Sequence, residues 1–334
     1  MSDFDPTSLI HHPYQAPAGF AAPQIGVHKA STVIFPDVAA MRGRDWRYKN
    51  GYTYGLHGTP TTFTLEERIA ALEGGTECVL VPSGLAAMIT PATQLVWLEA
   101  AGSVTMEFPD LNGLVQAAKS RGVLTALDNT WGAGIAFRPF ELGIDVVMQA
   151  LTKFPSGGGD VLMGSVTTRD VALHERIKLS HMHLGLGVAA NDAELLLRSL
   201  PSIAVRYAAH DATARELAAW LGTRPEVARV LHPAFDSCPG HAHWKGSCTA
   251  AAGLFSVMFD ARYPSAQVDA FVDALKLFKI GYSWAGPVSL VVPYDLKAMR
   301  GDKAYPGTLV RFSIGLESAV ALKADLAQAL AVLG

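Results

Sequence analysis

The sequence predicts an α/β fold: a large domain on a mostly parallel sheet, then a smaller C-terminal α+β domain. Three observations predict it. From residue 95, short apolar runs alternate with helical stretches, the order of strand, crossover helix and parallel strand. Those runs lack polar alternation, as strands do when helices cover both faces of their sheet. After residue 228 the pattern changes to strands with fewer intervening helices. Composition agrees, since 334 residues, 50% hydrophobic and only 17% charged, can bury a large core and exclude a disordered chain.

Residues 1–60, rich in Pro, Gly and aromatic residues without a period, read as an irregular arm. A helix is predicted from Thr64, with Thr64 and Glu67 as a capping box and Gly74-Gly75 as its stop. CVLVP (78–82) follows as a buried strand and runs into the small-residue turn Ser83-Gly84-Leu85-Ala86-Ala87. LVWLEA (95–100), VLTALDN (123–129) and DVVMQAL (145–151) read as buried strands, and 110–121 as a helix. VLMGSVTT (161–168) reads as strand or hairpin. Asn191 with Glu194 marks a further helix start, and 203–221 a long helix linking two domains. Beyond it, ARVLH, GLFSVMF and LVRFSIGL read as strands, with helices near 264–276 and 318–332. The expected division is an arm over 1–60, a large domain over 61–220 and a C-terminal domain over 221–334.

Several function classes are disfavoured. A net charge of −3 leaves no basic footprint for nucleic acid or an anionic membrane. No apolar run approaches the roughly 18 residues of a membrane span. The opening MSDFDPTSLIHH lacks the basic-then-apolar order of a secretory signal, so a cytoplasmic location is expected. Cys78, Cys238 and Cys248 are odd in number and widely spaced, which suits neither a disulfide framework nor a metal pair. Gly185-Leu-Gly187-Val-Ala-Ala190 matches a loose dinucleotide fingerprint, but it follows a helical stretch where a strand is required. His232, His241 and His243, with Cys238 among them, lack metal-ligand spacing and read as structural; no metal is expected.

Three candidates fall at the carboxyl ends of predicted strands, where open α/β sheets gather ligands. They are Ser83-Gly84-Leu85, Asp128 and Thr152-Lys153. A glycine turn before a helix presents free N–H groups to a phosphate. A lysine that condenses with an aldehyde, beside a carboxylate that keeps a pyridine nitrogen protonated, suits pyridoxal phosphate (PLP). Singly, each has a plainer reading: a surface lysine, a helix N-cap, an ordinary turn. Their order and placement together point to the cofactor.

LDNTWGAGIAFRPFELGIDVVMQALTKF (127–154) resembles the PLP-lysine region of the Cys/Met-metabolism (trans-sulfuration) family. YTYGLHGTPTTFTLEERIAALEGGTECVLVPSG (52–84) resembles that family's N-terminal stretch. YSWAGPVSL (282–290) and LVRFSIGLES (309–318) resemble its carboxylate-binding stretches. LEAAGSVTMEF (98–108) and the pair Ser283-Trp284 look most like the family's bacterial β-lyase branch. The resemblance implies a PLP-dependent transferase-like fold of the aspartate aminotransferase type I kind. It implies β-elimination of L-cystathionine to homocysteine, pyruvate and ammonia, in a homotetramer with shared active sites. It assigns Lys153 to PLP and to proton transfer, and Asp128 to the pyridine nitrogen. Ser83, Gly84, Leu85 and the Thr152 hydroxyl go to the phosphate, and Tyr54 to the phosphate of a neighbouring subunit's cofactor. Arg311 goes to the substrate α-carboxylate, with Ser283 and Trp284 lining that pocket. On its own, Arg311 reads as a paired core arginine and Trp284 as a packing residue.

The chain departs from the family pattern chiefly by an absence. Several tens of residues, with a helix, a strand and the aromatic that stacks on PLP, are expected between the SGLAAM turn and LVWLEA. Here Met88 reaches Leu95 through ITPATQ alone, and no tyrosine stands between Tyr54 and Tyr207. A recombined deletion, a natural degenerate copy and an incomplete sequence each produce such a gap, and a non-catalytic form of the scaffold is the rival function. The usual arginine two residues after Tyr54 is Leu56, with His57, Arg47 or Lys49 as substitutes for its charge. Gly-His-Ser-Asp after the lysine reads Gly157-Gly158-Gly159-Asp160. Ser103 replaces a frequent asparagine, and Val288 a usual glutamate. Other trans-sulfuration activities (γ-lyase, γ-synthase, cystine cleavage) remain open on these residues.

Overall fold

A computed structural model describes residues 25–30, 33–35, 43, 47–81, 95–301 and 305–334. The chain divides into two compact units. One comprises residues 1–98, 112–156 and 160–203, and the other residues 99–111, 157–159 and 204–334.

The first unit carries strands β1 (Glu77–Val81), β2 (Leu95–Glu99), β3 (Leu124–Asp128), β4 (Val146–Ala150) and β5 (Gly164–Thr168), in the sheet order β1-β5-β4-β3-β2. The sheet is mixed, which corrects the expectation of a mostly parallel one. β3 and β4 are parallel, whereas β4–β5 and β1–β5 are antiparallel. The reason is the connection. Residues 151–163, between β4 and β5, contain no helix to carry the chain back over the sheet, so it returns as a hairpin.

Helix α1 (Pro60–Glu73) starts four residues before the predicted Thr64. The capping box is Thr59 with Thr62: the Thr62 N–H donates to Thr59 Oγ1 at 3.2 Å, and the Thr59 N–H to Thr62 Oγ1 at 2.7 Å. Pro60 suits the first helical position because its missing N–H has no partner there in any case. Thr64 lies inside the helix and donates its hydroxyl to the Pro60 carbonyl. Gly74 ends α1 with a left-handed φ of 72°. α2 (Leu111–Lys119) follows β2, and α3 (Val171–Leu184) follows β5. Ile177 of α3 packs on Val81, Met148 and Val166 of the sheet. α4 (Ala190–Ser199) begins one residue before Asn191, so Ala189 is its N-cap and no side chain caps it. The predicted cap residues Asn191 and Glu194 lie within the helix.

Long helix α5 (Ile203–Leu221) passes into the second unit after Ile203. That unit adds α6 (His241–Ser247), α7 (Ser265–Asp273), α8 (Leu296–Arg300) and α9 (Ala319–Leu330). Its sheet contains β6 (Val227–Leu231), β7 (Leu254–Phe259), β8 (Lys279–Ile280), β9 (Leu290–Tyr294) and β10 (Leu309–Ser313), in the order β6-β7-β10-β9-β8. Only β8–β9 is parallel. Alternation along the central strands sorts the side chains. Phe255, Val257 and Phe259 of β7 and Val310 and Phe312 of β10 join Leu217, Phe271 and Leu326 from the helices in the main core. Leu254, Met258 and Leu309 face the other way and pack with Met106 and Leu231. Arg311, between Val310 and Phe312, is thereby turned away from the main core.

Candidate functional site

Candidate residues form a group in each unit. In the first, Asp128 is the last residue of β3 and Lys153 sits in the turn after β4, its N–H donating to the Ala150 carbonyl at 3.1 Å. Parallel pairing of β3 with β4 brings both strand ends to the same side of the sheet. The ends are tied together. The Ala150 N–H donates to Thr130 Oγ1 at 2.8 Å, and the Asn129 N–H to the Met148 carbonyl at 2.8 Å. Asp128 Oδ1 accepts from the Thr130 N–H at 2.9 Å.

Burial pushes the Asp128 carboxyl above its usual range; hydrogen bonds from Thr130 and the Lys153 charge oppose that shift without cancelling it. The ionised form of Asp128 therefore carries an uncompensated burial cost that a further positive charge would offset. A protonated pyridine nitrogen supplies one, so the residues at this end fit PLP. Thr152 is already engaged. Its Oγ1 donates to the Met163 carbonyl at 3.3 Å and accepts from the Met163 N–H at 3.2 Å, which spends its single proton inside the β4–β5 connection. Ser83, Gly84 and Leu85 lie outside the described residues. Tyr54 is 46% exposed, with its ring edge-on to His57.

The structure separates the three substitutes for the charge lost at Leu56. Lys49 is committed to Glu66, 3.4 Å away in a buried setting. His57 is held below its usual pKa by burial and the Lys178 charge, so it is neutral near pH 7. Arg47 is exposed and lies 5.6 Å from the Tyr48 ring centroid.

The second unit holds Arg311, Ser283 and Trp284. Arg311 is 5% exposed in the middle of β10. Nη1 donates to the Ser103 carbonyl at 2.9 Å and Nη2 to the Tyr282 carbonyl at 3.0 Å, and the guanidinium lies 5.4 Å from the Tyr294 ring centroid. No carboxylate pairs with it among the described residues. Two of its five N–H groups are used, and burial lowers its pKa. A buried cation without an acid is costly, and this departs from the plain reading of a paired core arginine. Ser283 and Trp284 are half-buried, and Trp284 packs against the cluster of Met106, Leu254 and Leu309. Val288 is exposed.

The other singled-out residues have local partners. Gly185 is the left-handed C-cap of α3, so the loose dinucleotide fingerprint starts at a helix end. His232 stacks on Phe235, His241 Nε2 lies 2.8 Å from Asp236, and His243 Nδ1 lies 3.7 Å from Asp110. No metal-binding cluster occurs among the described residues. No helix among them is long and apolar enough to cross a membrane.

One residue escaped the sequence reading. Glu73, the last residue of α1, is fully buried, and its Oε2 accepts from Asn129 Nδ2 at 2.8 Å. A signal existed, because a carboxylate at a helix C-terminus faces the negative end of the helix dipole and is out of place there.

The chain belongs to the Cys/Met-metabolism PLP-dependent enzyme family, whose profile matches residues 6–90 and 87–331. It is therefore a PLP-dependent enzyme of the carbon–sulfur lyase class, with PLP as cofactor and the fold of that family. The cystathionine beta-lyase of Bordetella avium is 35% identical over 384 residues, covering 97% of this chain and 96% of that protein. The cystathionine beta-lyase of Salmonella typhimurium is 32% identical, covering 90% of this chain and 91% of that protein. The crystal structure of cystathionine gamma synthase from Xanthomonas oryzae pv. oryzae in complex with cystathionine superposes with a TM-score of 0.89 at 25% identity. It covers 98% of this chain and 97% of that one. The family match breaks at residues 87–90, where the sequence lacks its expected segment. The Bordetella alignment, at 384 residues, is longer than the 334-residue chain, so a block of that relative has no counterpart here.

Proposed function

We propose that the chain cleaves L-cystathionine by β-elimination, consuming water and releasing homocysteine, pyruvate and ammonia. The observation that carries this reading is Arg311, a buried guanidinium with two backbone contacts and no paired acid among the described residues. It suits the α-carboxylate of an amino-acid substrate. Names of the relatives support the β-lyase branch.

Bound PLP supplies an electron sink for the charge left when the α-proton departs. Lys153 holds the cofactor, takes the proton from the substrate α carbon and returns a proton to the departing sulfur. Asp128 keeps the ring nitrogen protonated. Arg311 fixes the carboxylate through its planar fork, which orients the α C–H bond. Ser283 and Trp284 line that pocket. The Thr152 hydroxyl, with Ser83, Gly84 and Leu85, takes the phosphate once Thr152 turns its proton away from Met163. Tyr54 serves the phosphate of a neighbouring subunit, in a cytoplasmic homotetramer with shared sites.

A second reading has its own observation. The interrupted family match favours a non-catalytic or impaired form of the scaffold that binds PLP poorly or not at all. Incubation with L-cystathionine and PLP separates the two. Release of pyruvate and homocysteine in equal amounts supports β-elimination, whereas cysteine and 2-oxobutyrate indicate γ-elimination. No product at any PLP concentration supports the impaired form.

A further inference from the structure

We propose that Glu73 is a positioning residue for Asp128: it locks Asn129, and with it the turn that presents Asp128, in a closed acid–amide pair. The proposal rests on the reading of Asp128 as the partner of the PLP ring nitrogen.

Both side chains are fully buried, and Asn129 Nδ2 donates to Glu73 Oε2 at 2.8 Å. The two acceptors left over, Glu73 Oε1 and Asn129 Oδ1, are buried without a hydrogen-bond partner. Such atoms are rare in native proteins because each costs its desolvation. They belong to the same pair, and one proton satisfies both. A protonated Glu73 donates from Oε1 to Asn129 Oδ1, while Asn129 donates to Oε2, which closes a ring of two hydrogen bonds.

Independent features agree. Glu73 ends α1, where the helix dipole disfavours a carboxylate. The turn after Asp128 presses onto this helix end: a Cβ at Gly134 would lie 2.6 Å from the Leu72 carbonyl oxygen, and one at Gly132 would lie 2.2 Å from Asn129 Oδ1. The Asn129 backbone holds the turn from within, its N–H on the Met148 carbonyl and its carbonyl on the Ala133 N–H. The charged and titratable groups facing the pair do not remove the proton. Asp128 on β3 favours it and Arg138 opposes it; burial, the largest influence, pushes Glu73 up to about 8. Cys78 on β1 stays a neutral thiol, and Arg169 donates to the Gly74 carbonyl.

A neutral Glu73 also spares Asp128 a second negative charge nearby, so Asp128 can ionise. Above pH 8 Glu73 deprotonates, the ring of hydrogen bonds breaks and Asp128 gains a like-charged neighbour.

The test compares wild type with Glu73→Gln, Glu73→Leu and Glu73→Asp. Infrared difference spectra of holoprotein, wild type minus Glu73→Gln, should show a protonated-carboxyl band at pH 7 that fades above pH 8. Glutamine can close the same ring without a titrating proton. Its PLP dissociation constant should stay within twofold of wild type at pH 7 and remain flat to pH 9, where the wild-type value rises. Leucine and aspartate should weaken PLP binding tenfold or more. A missing band at pH 7 overturns the lock, and equal PLP affinity in all four proteins overturns the positioning role. Asp128→Asn distinguishes the underlying reading: if it binds PLP normally, that reading fails, while the Glu73 band still reports the lock.

Discussion

Arg311 donates through Nη1 to the backbone carbonyl of Ser103, 2.9 Å away, although 208 residues separate them in sequence. With Tyr282 on the other arm, the fork is aimed by backbone carbonyls, and no acid among the described residues competes with an incoming carboxylate. Arg311→Ala should therefore lower kcat/KM for cystathionine by roughly 30- to 5,000-fold, from about 2–5 kcal/mol for truncating a buried charged partner. PLP affinity should change less than twofold. Comparable losses of PLP and substrate binding, measured by titration, would refute the carboxylate role.

Lys153 stands in the turn after β4, where its charge reaches Asp128. Lys153→Ala should abolish pyruvate release from cystathionine while leaving the far-ultraviolet circular dichroism unchanged. Full activity in that variant would sink the assignment of the proton-transferring base.

His232 sets a pH limit on stability. It is fully buried, and burial pushes its pKa down to about 3, from an unfolded value near 6.5. Between those values the unfolded chain binds a proton that the folded chain refuses, so stability falls as pH drops below about 6.5 and levels off below about 3. The slope from this one group is at most about 1.4 kcal/mol per pH unit. His232→Gln should flatten the decline in urea midpoint between pH 7 and pH 4. An identical decline in both proteins would contradict the account.

Phe312 anchors the second unit. Its ring lies 5.3 Å from that of Phe255 and 5.5 Å from that of Phe278. Phe312→Ala should cost about 3–5 kcal/mol of unfolding free energy, read from urea denaturation. Thr59→Ala, which removes the cap of α1, should cost only about 1 kcal/mol.

Long apolar runs were legible in the sequence because burial on both faces leaves one composition. The strands around Val79, Leu127, Val147 and Phe255 were all placed. Strand direction was less visible, because it depends on whether the connection has a helix. For β5 that lay in the composition of 151–163, not in the strand itself. The start of α1 was missed because Thr59-Pro60 reads as a turn until the Thr59–Thr62 exchange of hydrogen bonds is seen. Lys153 and Asp128 were found from their places at the ends of predicted strands, and Arg311 through a resemblance. That no acid among the described residues pairs with Arg311 required the fold. Glu73 was overlooked because its role lies in a contact with Asn129, 56 residues away.

The most direct test of the account is borohydride reduction of the purified chain with PLP, followed by peptide mass mapping. The account predicts a visible absorbance band before reduction and a PLP-modified peptide with the added mass on Lys153. No adduct, or an adduct on another lysine, would contradict it.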